Sequence, residues 1–242
     1  MTLLDAHCHL KIVAENYDLP AIITEAKAKG ITNWFSSALS REEVWWHQQN
    51  LSPEMQFCAG IHPLYNEGTP LSLDDLEQLI ISKQIIALGE IGLDKRNPDL
   101  KSQIALFQDQ LSLAKQYELP VVLHVNGHYD ILFKIMSNIE LRYLWHGFYA
   151  SKEIVSQFSH FDITFSLGQV LLTSQKHEIV KAIVERENFL IETDAPYHND
   201  PAKYSNPFFQ LVFILNSLSK LAGVKPEHLT HLMQRTSKKF IK

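Results

Sequence analysis

An α/β fold of eight parallel strands ringed by helices, a single-domain (β/α)8 TIM barrel, is the architecture this sequence predicts. Three observations predict it. Short apolar runs alternate with amphipathic stretches from one end to the other. Eight such runs in 242 residues fit a closed barrel better than an open sheet. No Pro/Gly/Ser-rich linker and no shift in composition interrupts the series, so residues 1–242 are expected to form one domain. The strands are expected to be parallel, because each helical crossover returns the chain to the same end of the sheet.

The elements follow in order. LLDAHCH (3–9) is the first apolar run; residues 18–29 then repeat apolar positions at helical spacing and stop at Gly30, a suitable C-cap. ITNWFSSA (31–38) and MQFCAGIH (55–62) are the next two runs, followed by a slightly Pro/Gly-rich loop at 63–71. Ser72 opens a helix with Asp74, Asp75 and Glu77 near its start, where carboxylates favour the helix dipole. After IIALGEIGL (85–93), residues 100–117 set Ile104, Phe107, Leu111 and Ala114 on one helical stripe. LPVVLHV (119–125), LRYLWHGF (141–148), DITFSL (162–167) and FLIETDAP (189–196) complete the strands. Helices are expected at 128–138, 151–160, 174–186 and 206–222, with a loop at 195–207 carrying three prolines. A last helix at 226–241 starts at Pro226, a favoured first helical residue.

Composition narrows the function. With 45% hydrophobic and 20% charged residues, the chain is globular and neither disordered nor a disulfide scaffold. Lys plus Arg is 22 against 27 Asp plus Glu, a net charge of −5, which argues against wrapping long duplex DNA but allows a small anionic group at one local site. Two cysteines, Cys8 and Cys58, fit a reducing compartment. No apolar stretch approaches the ~18 residues of a membrane span, and MTLLDAHCHL has no basic region before a long apolar one. A soluble, cytoplasmic protein is expected, with no membrane and no obligate protein partner.

The 12 histidines carry the chemistry. Polar residues fall at the C-terminal ends of the runs: Asp5, His7 and His9; His62; Glu90; His124; His146; Glu192 and Asp194. In a barrel those ends meet at the face that holds active sites. Side chains alternate along a strand, so Asp5, His7 and His9 share one face, and Cys8 points the other way. Singly, a strand-end histidine is usually a hydrogen-bonded core residue; so many converging polar groups would be heavily penalised without a partner, and a metal supplies one. Four imidazoles (His7, His9, His124, His146) and two carboxylates (Glu90, Asp194) exceed the three ligands of one open zinc site. They suffice for two divalent ions bridged by Glu90. Gly89 and Gly92 beside it leave room for backbone or substrate. Two such ions against two carboxylates leave the site about +2, which suits a phosphate diester or another developing oxyanion. Ligand type favours Zn or Mn; Mg fits less well unless phosphate oxygens complete its shell. One ion would acidify the attacking water and the other would stabilise the oxygen that gains charge. Asp194 and Glu90 are the catalytic candidates, Asp194 either ligating or taking the proton. Asp5 and Glu192 are expected behind the ligands, with Asp5 orienting His7 or His9. His62 faces substrate or a further ion. Because histidine ligands must be neutral, occupancy is expected to fall below about pH 6.

Together, LLDAHCHL, CAGIHPLY, ALGEIGLD, LPVVLH, HGF and IETDAPY resemble the TatD family of metal-dependent hydrolases, in order, from residue 3 to 197. The resemblance implies a TIM barrel, a centre of two or three divalent ions, and a Mg- or Mn-dependent deoxyribonuclease, commonly acting from 3′ ends. It places His7, His9, Glu90 and Asp194 around a first ion, and Glu90, His124 and His146 around a second. Departures fall on the substrate side. The family's H-x-R is His124-Val125-Asn126 here, H-x-F-S-G becomes His146-Gly147-Phe148-Tyr149-Ala150, and Tyr197, His198 and Lys203 stand where the family often has an arginine. Lysine offers a point charge where arginine offers a fork. His62, Asn126, Tyr149 and Lys203 are therefore the substrate-binding candidates, and Tyr65, Phe148, Tyr149 and Tyr197 could stack on unpaired bases. Single-stranded DNA ends are the leading substrate, a small amide, ester or lactone is the alternative, and a metal-bound protein without turnover is the third reading.

Overall fold

In the computed structural model of the chain, which describes residues 2–50, 52–65, 67–174 and 176–242, the eight apolar runs form one eight-stranded parallel sheet in sequence order. Met1, Leu51, Asn66 of the loop 63–71 and Gln175 of the expected helix 174–186 lie outside the described residues. The strands are β1 (Leu3–Cys8), β2 (Ile31–Ala38), β3 (Met55–Ala59), β4 (Leu88–Asp94), β5 (Val121–Asn126), β6 (Arg142–Trp145), β7 (Asp162–Leu167) and β8 (Phe189–Ile191). The helices are α1 (Leu10–Asn16), α2 (Leu19–Ala28), α3 (Arg41–Gln49), α4 (Leu73–Ile81), α5 (Leu100–Gln116), α6 (Tyr129–Met136), α7 (Lys152–Phe158), α8 (Gln169–Thr173), α9 (His177–Val184), α10 (Gln210–Ala222) and α11 (Pro226–Phe240).

The ring is joined beyond the end of β8, where Asp194 N donates to His7 O at 3.0 Å and His9 N to Ala195 O at 2.7 Å. Asp5 pins this seam. Its buried carboxylate accepts from Thr193 N at 2.9 Å and from the Thr193 hydroxyl at 2.6 Å. It therefore holds β1 to the segment carrying Asp194 instead of orienting the rings of His7 or His9; His7 meets it only through its backbone N, at 3.4 Å.

Side-chain caps start several helices. Ser72 and Asp75 form a reciprocal capping box on α4, while Asp18, Ser40, Asp99 and Ser151 each accept a backbone N–H in the first turn of α2, α3, α5 and α7. Between the sheet and the helix ring, Trp145, Phe148, Phe158 and Phe165 pack edge to face, and the core also buries Trp34, Phe57, Phe107, Phe189 and Phe208.

Three helices, α1, α3 and α8, go beyond the sequence expectation. α1 is too short for a period to show, burying only Leu10 and Val13. α3 hides its inner face, which is Glu43, Val44 and His47. His47 stacks on Phe57 with ring centroids 4.7 Å apart and lies 3.1 Å from Ser36 Oγ, so it is a core histidine. α8 is a five-residue helix ahead of the expected helix 174–186, which forms as the shorter α9, and the expected helix 206–222 opens as a 3-10 turn, Pro207–Phe209, capped by Asn206. Among the described residues no single helix is long and apolar enough to cross a membrane.

Candidate metal centre

Alternation along β1 sends His7 and His9 into the barrel mouth, and Cys8 outward, where its thiol faces Phe35 O at 3.6 Å. Glu90 is delivered by a close approach of β4 to β5. Gly92 has φ +150°, and a Cβ there would stand 2.0 Å from His124 O; one at Gly89 would stand 2.6 Å from Val122 Cβ. The space these glycines leave is thus taken by the backbone and side chains of β5 rather than by substrate. His124 lies in the second half of β5, His146 follows β6, and Asp194 sits after β8 with φ +55°, a strained value for a residue with a side chain.

These residues converge, and Glu90 divides them. Its Oε1 lies 3.3 Å from His7 Nε2 and 3.5 Å from His9 Nε2; its Oε2 lies 2.8 Å from His146 Nε2 and 3.7 Å from His124 Nδ1. Asp194 Oδ1 completes the first side, 3.7 Å from His7 Nε2 and 3.4 Å from His9 Nε2. Three sets of ligand-type atoms are each compact enough to hold an ion: His7–His9–Asp194, His7–Glu90–His146 and His62–Glu90–His124. His7 Nε2 and Glu90 Oε1 are buried with no hydrogen-bond partner. Orphans of that kind are costly unless a cation satisfies them, so the donor set fits a divalent metal held by imidazole and carboxylate.

The electrostatics agree. Burial works against the charge of Glu90, but His146 and His7 beside it, with bonds from His124 and His146, hold the carboxyl well below its usual range. Asp194 is likewise lowered against burial by its bond to His9 and by the neighbouring rings. Burial opposes a charge on His9 and His124, yet bonds to Asp194 for His9, and to Asp94 and Glu90 for His124, raise both rings to about 9. An ion entering here must displace those protons, about one at each side. Metal affinity is therefore predicted to climb about tenfold per pH unit for each ion up to pH 9 and level off above it. The window lies higher than the sequence alone suggests. Calorimetry in buffers of different ionisation enthalpy reads the release directly, near one proton per ion at pH 7.5; no proton release would contradict it.

His62 differs from the other rings. Burial, with His124 nearby, lowers it to about 3, so it is neutral. Its Nδ1 accepts from Leu64 N at 3.0 Å and Tyr65 N at 2.9 Å, which leaves the proton on Nε2, facing Glu90 Oε2 at 3.9 Å. A protonated Nε2 donates and does not ligate.

Asp94 is not singled out by sequence, and His198 is named there only among the residues that stand where the family often has an arginine. Asp94, fully buried, accepts from His124 Nε2 at 2.8 Å and from Asn126 Nδ2 at 3.1 Å, and it pairs with Arg96. It fixes the ring so that Nδ1 faces Glu90. His198 Nε2 lies 3.4 Å from Asp194 Oδ2 with its side chain 57% exposed, linking Asp194 to solvent. Glu192, as expected, stands behind the rings: its Oε1 accepts from Gly147 N, and burial raises it to about 7.

On the substrate side, Tyr149 is half-exposed at a cavity of about 250 Å³ that Glu192, Asp194 and His198 also line. One face of its ring is covered by Lys176 Nζ, 3.6 Å from the centroid. Tyr197 is also half-exposed and meets His9 edge to face at 4.9 Å. Phe148 is not available for stacking, because it is buried against Trp145 and Phe165. Tyr65 is occupied through its hydroxyl, which donates to Glu43. Lys203 stands apart, its ammonium 4.4 Å from the Phe213 ring, and among the described residues no hydrogen bond or ion pair joins it to the cluster.

A closed parallel barrel with histidines and carboxylates gathered at the C-terminal mouth defines a metal-dependent hydrolase of the TIM-barrel class. The chain belongs to the TatD related DNase family, whose pattern matches residues 4–242. Among curated proteins it is similar to the uncharacterized metal-dependent hydrolase MJ1582 of Methanocaldococcus jannaschii, 22% identical over 99% of this chain and 96% of the relative. The uncharacterized metal-dependent hydrolase YjjV of Escherichia coli K12 is 29% identical over 80% of this chain and 79% of its own. A crystal structure of YJJV, a TatD homologue from the same bacterium, shares the fold with a TM-score of 0.85 at 23% identity, covering 98% of this chain and 97% of that one.

Proposed function

We propose that the chain, acting as one domain of residues 1–242, hydrolyses phosphodiester bonds of DNA at the 3′ ends of single strands, using two divalent ions bridged by Glu90. The observation that carries this reading is the division of Glu90, one oxygen toward His7 and His9 and the other toward His124 and His146. In it, His7, His9, Glu90 and Asp194 hold one ion and Glu90, His124 and His146 the other; Mn, Zn and Mg are the candidates. Bound there, the ions would supply an acidified water and charge stabilisation for the oxygen that leaves.

The chain's own residues do the rest. Asp194 presents Oδ1 to the histidine pair and keeps Oδ2 for a proton, which His198 can pass to solvent. His62 directs its Nε2 proton into the site and donates to an oxygen of the substrate, so we assign it to substrate and not to a third ion. Asp94 keeps His124 in the tautomer that ligates through Nδ1. Tyr149 and Tyr197 give an unpaired base two half-exposed rings. The family's description as a DNase and the positive charge expected of the loaded site support the phosphodiester. The buried free thiols Cys8 and Cys58 support a cytoplasmic location.

One observation favours the alternative of a small amide, ester or lactone: Asn126 spends its amide on Asp94 and offers substrate no charge. The experiment is to incubate metal-loaded protein with labelled single-stranded DNA beside a chelated control. Shortening from the 3′ end that chelation abolishes is the expected result, with Tyr149→Ala weakening DNA binding and leaving metal content unchanged. Intact DNA with Mg, Mn and Zn, in samples whose metal content is verified, would transfer the assignment to the small carbonyl substrate.

A further inference from the structure

Behind His124 an arginine is held in place at the rim of the mouth. The Asp94 carboxylate is saturated: Oδ1 takes Arg96 N at 2.8 Å, Arg96 Nε at 3.0 Å and Asn126 Nδ2 at 3.1 Å, while Oδ2 takes His124 Nε2 at 2.8 Å, Arg96 Nε at 3.0 Å and Arg96 Nη2. This grip uses Nε and one side of Nη2. Among the described residues nothing is bonded to Nη1, and the side chain is 58% exposed.

The loop carrying Arg96 is braced rather than loose. Lys95 N donates to Asn126 O at 2.8 Å, Asn97 N to Asp94 O at 3.1 Å, Asn97 Nδ2 to Pro63 O at 2.6 Å, and Gln103 Nε2 to Asn97 O at 2.9 Å. A guanidinium with its inner edge fixed and its outer edge free is pre-organised to pair two oxygens of an anion such as a phosphate, and a neighbouring exposed lysine, Lys95, adds charge. One carboxylate and one imidazole ring separate it from Glu90, so it cannot share the group that Glu90 faces.

We infer that Arg96, with Lys95, forms an anion subsite on the rim between β4 and β5 that binds a second phosphate of the substrate, one flanking the bond to be broken. The inference rests on the phosphodiesterase reading for the identity of the anion. It predicts a preference for oligonucleotides over diesters that carry no other charge.

Two probes test it on the metal-loaded protein. Bis(p-nitrophenyl) phosphate has one phosphate and reads the centre alone; fluorescein-labelled hexadeoxythymidylate, followed by anisotropy, reads the subsite. Arg96→Ala is expected to weaken hexanucleotide binding about tenfold and to lower the slope of log affinity against log salt by about 0.7, the share of one phosphate on a single strand. Turnover of the small diester and metal content should be unchanged, and Arg96→Lys should recover part of the binding. Equal hexanucleotide binding by wild type and Arg96→Ala overturns the subsite and leaves the phosphodiesterase reading intact. A loss shared by the small diester, with lower metal content, also overturns it, since Arg96 would then act only by holding Asp94. If neither probe is cleaved but Arg96→Ala still weakens hexanucleotide binding, the subsite stands and the phosphodiesterase reading falls. A wild-type protein that does not bind the hexanucleotide overturns both.

Discussion

Replacing Glu90 with alanine is expected to slow turnover by about a thousandfold or more, a loss of roughly 4 kcal/mol from the barrier. Its carboxylate serves both halves of the centre: its two oxygens reach the Nε2 atoms of His7, His9 and His146 and Nδ1 of His124. Without it the first half keeps His7, His9 and Asp194 and can hold one ion, while the second keeps two imidazoles and loses its anion. The variant should therefore bind at most one ion per chain and remain folded, because the buried imidazoles that Glu90 helps keep charged can give up their protons when it is gone. Circular dichroism and metal analysis on one sample check both parts. Full activity, or two ions retained, would remove Glu90 from the centre.

Asp194→Asn is the second large effect, a fall in kcat of about a thousandfold with KM changed little. The substitution keeps the size of the side chain and its Oδ1 toward His7 and His9, and it removes the oxygen that takes a proton beside His198. A binding group would raise KM; a group acting on the proton lowers kcat. Since the carboxyl of Asp194 is held below its usual range, wild-type turnover should keep this base ionised well into acid, and its loss should not be restored by raising the pH. Steady-state rates from pH 6 to 9 read the outcome, and a loss below tenfold would assign the proton to another group.

How far the sequence reached depended on what regular structure transmits. Strand parity carried His7, His9, His124, His146 and Asp194 to one mouth, because they stand near or just beyond the C-terminal end of a parallel strand; Glu90 is instead the third of the seven residues of β4 and still meets them. Parity served less well where the backbone departs from alternation. β4 shifts register against β5 between Gly89 and Ile91, so alternation counted from Glu90 does not show that Asp94, at the end of β4, meets His124. His198 follows β8 in a turn with φ +52°, where no period applies. Arg96 belongs to a loop whose fixed shape comes from Pro63 and Gln103, residues distant or a turn away in sequence. Asp5 departs from the expectation for a similar reason: facing inward is legible from parity, but whether an inward carboxylate meets a ring or the seam with Thr193 depends on where β8 stops. Phe148 follows His146 by two residues and shares the strand's apolar character, yet it turns into the aromatic layer with Trp145 and Phe165.

The central claim is a centre of two ions bridged by one carboxylate. Its most direct measurement is metal content per chain after the protein is stripped with chelator, reloaded with excess Mn or Zn and freed of unbound ion. Two ions per chain, with the second lost in Glu90→Ala, is the predicted result; a single ion in wild type that Glu90→Ala retains would contradict it.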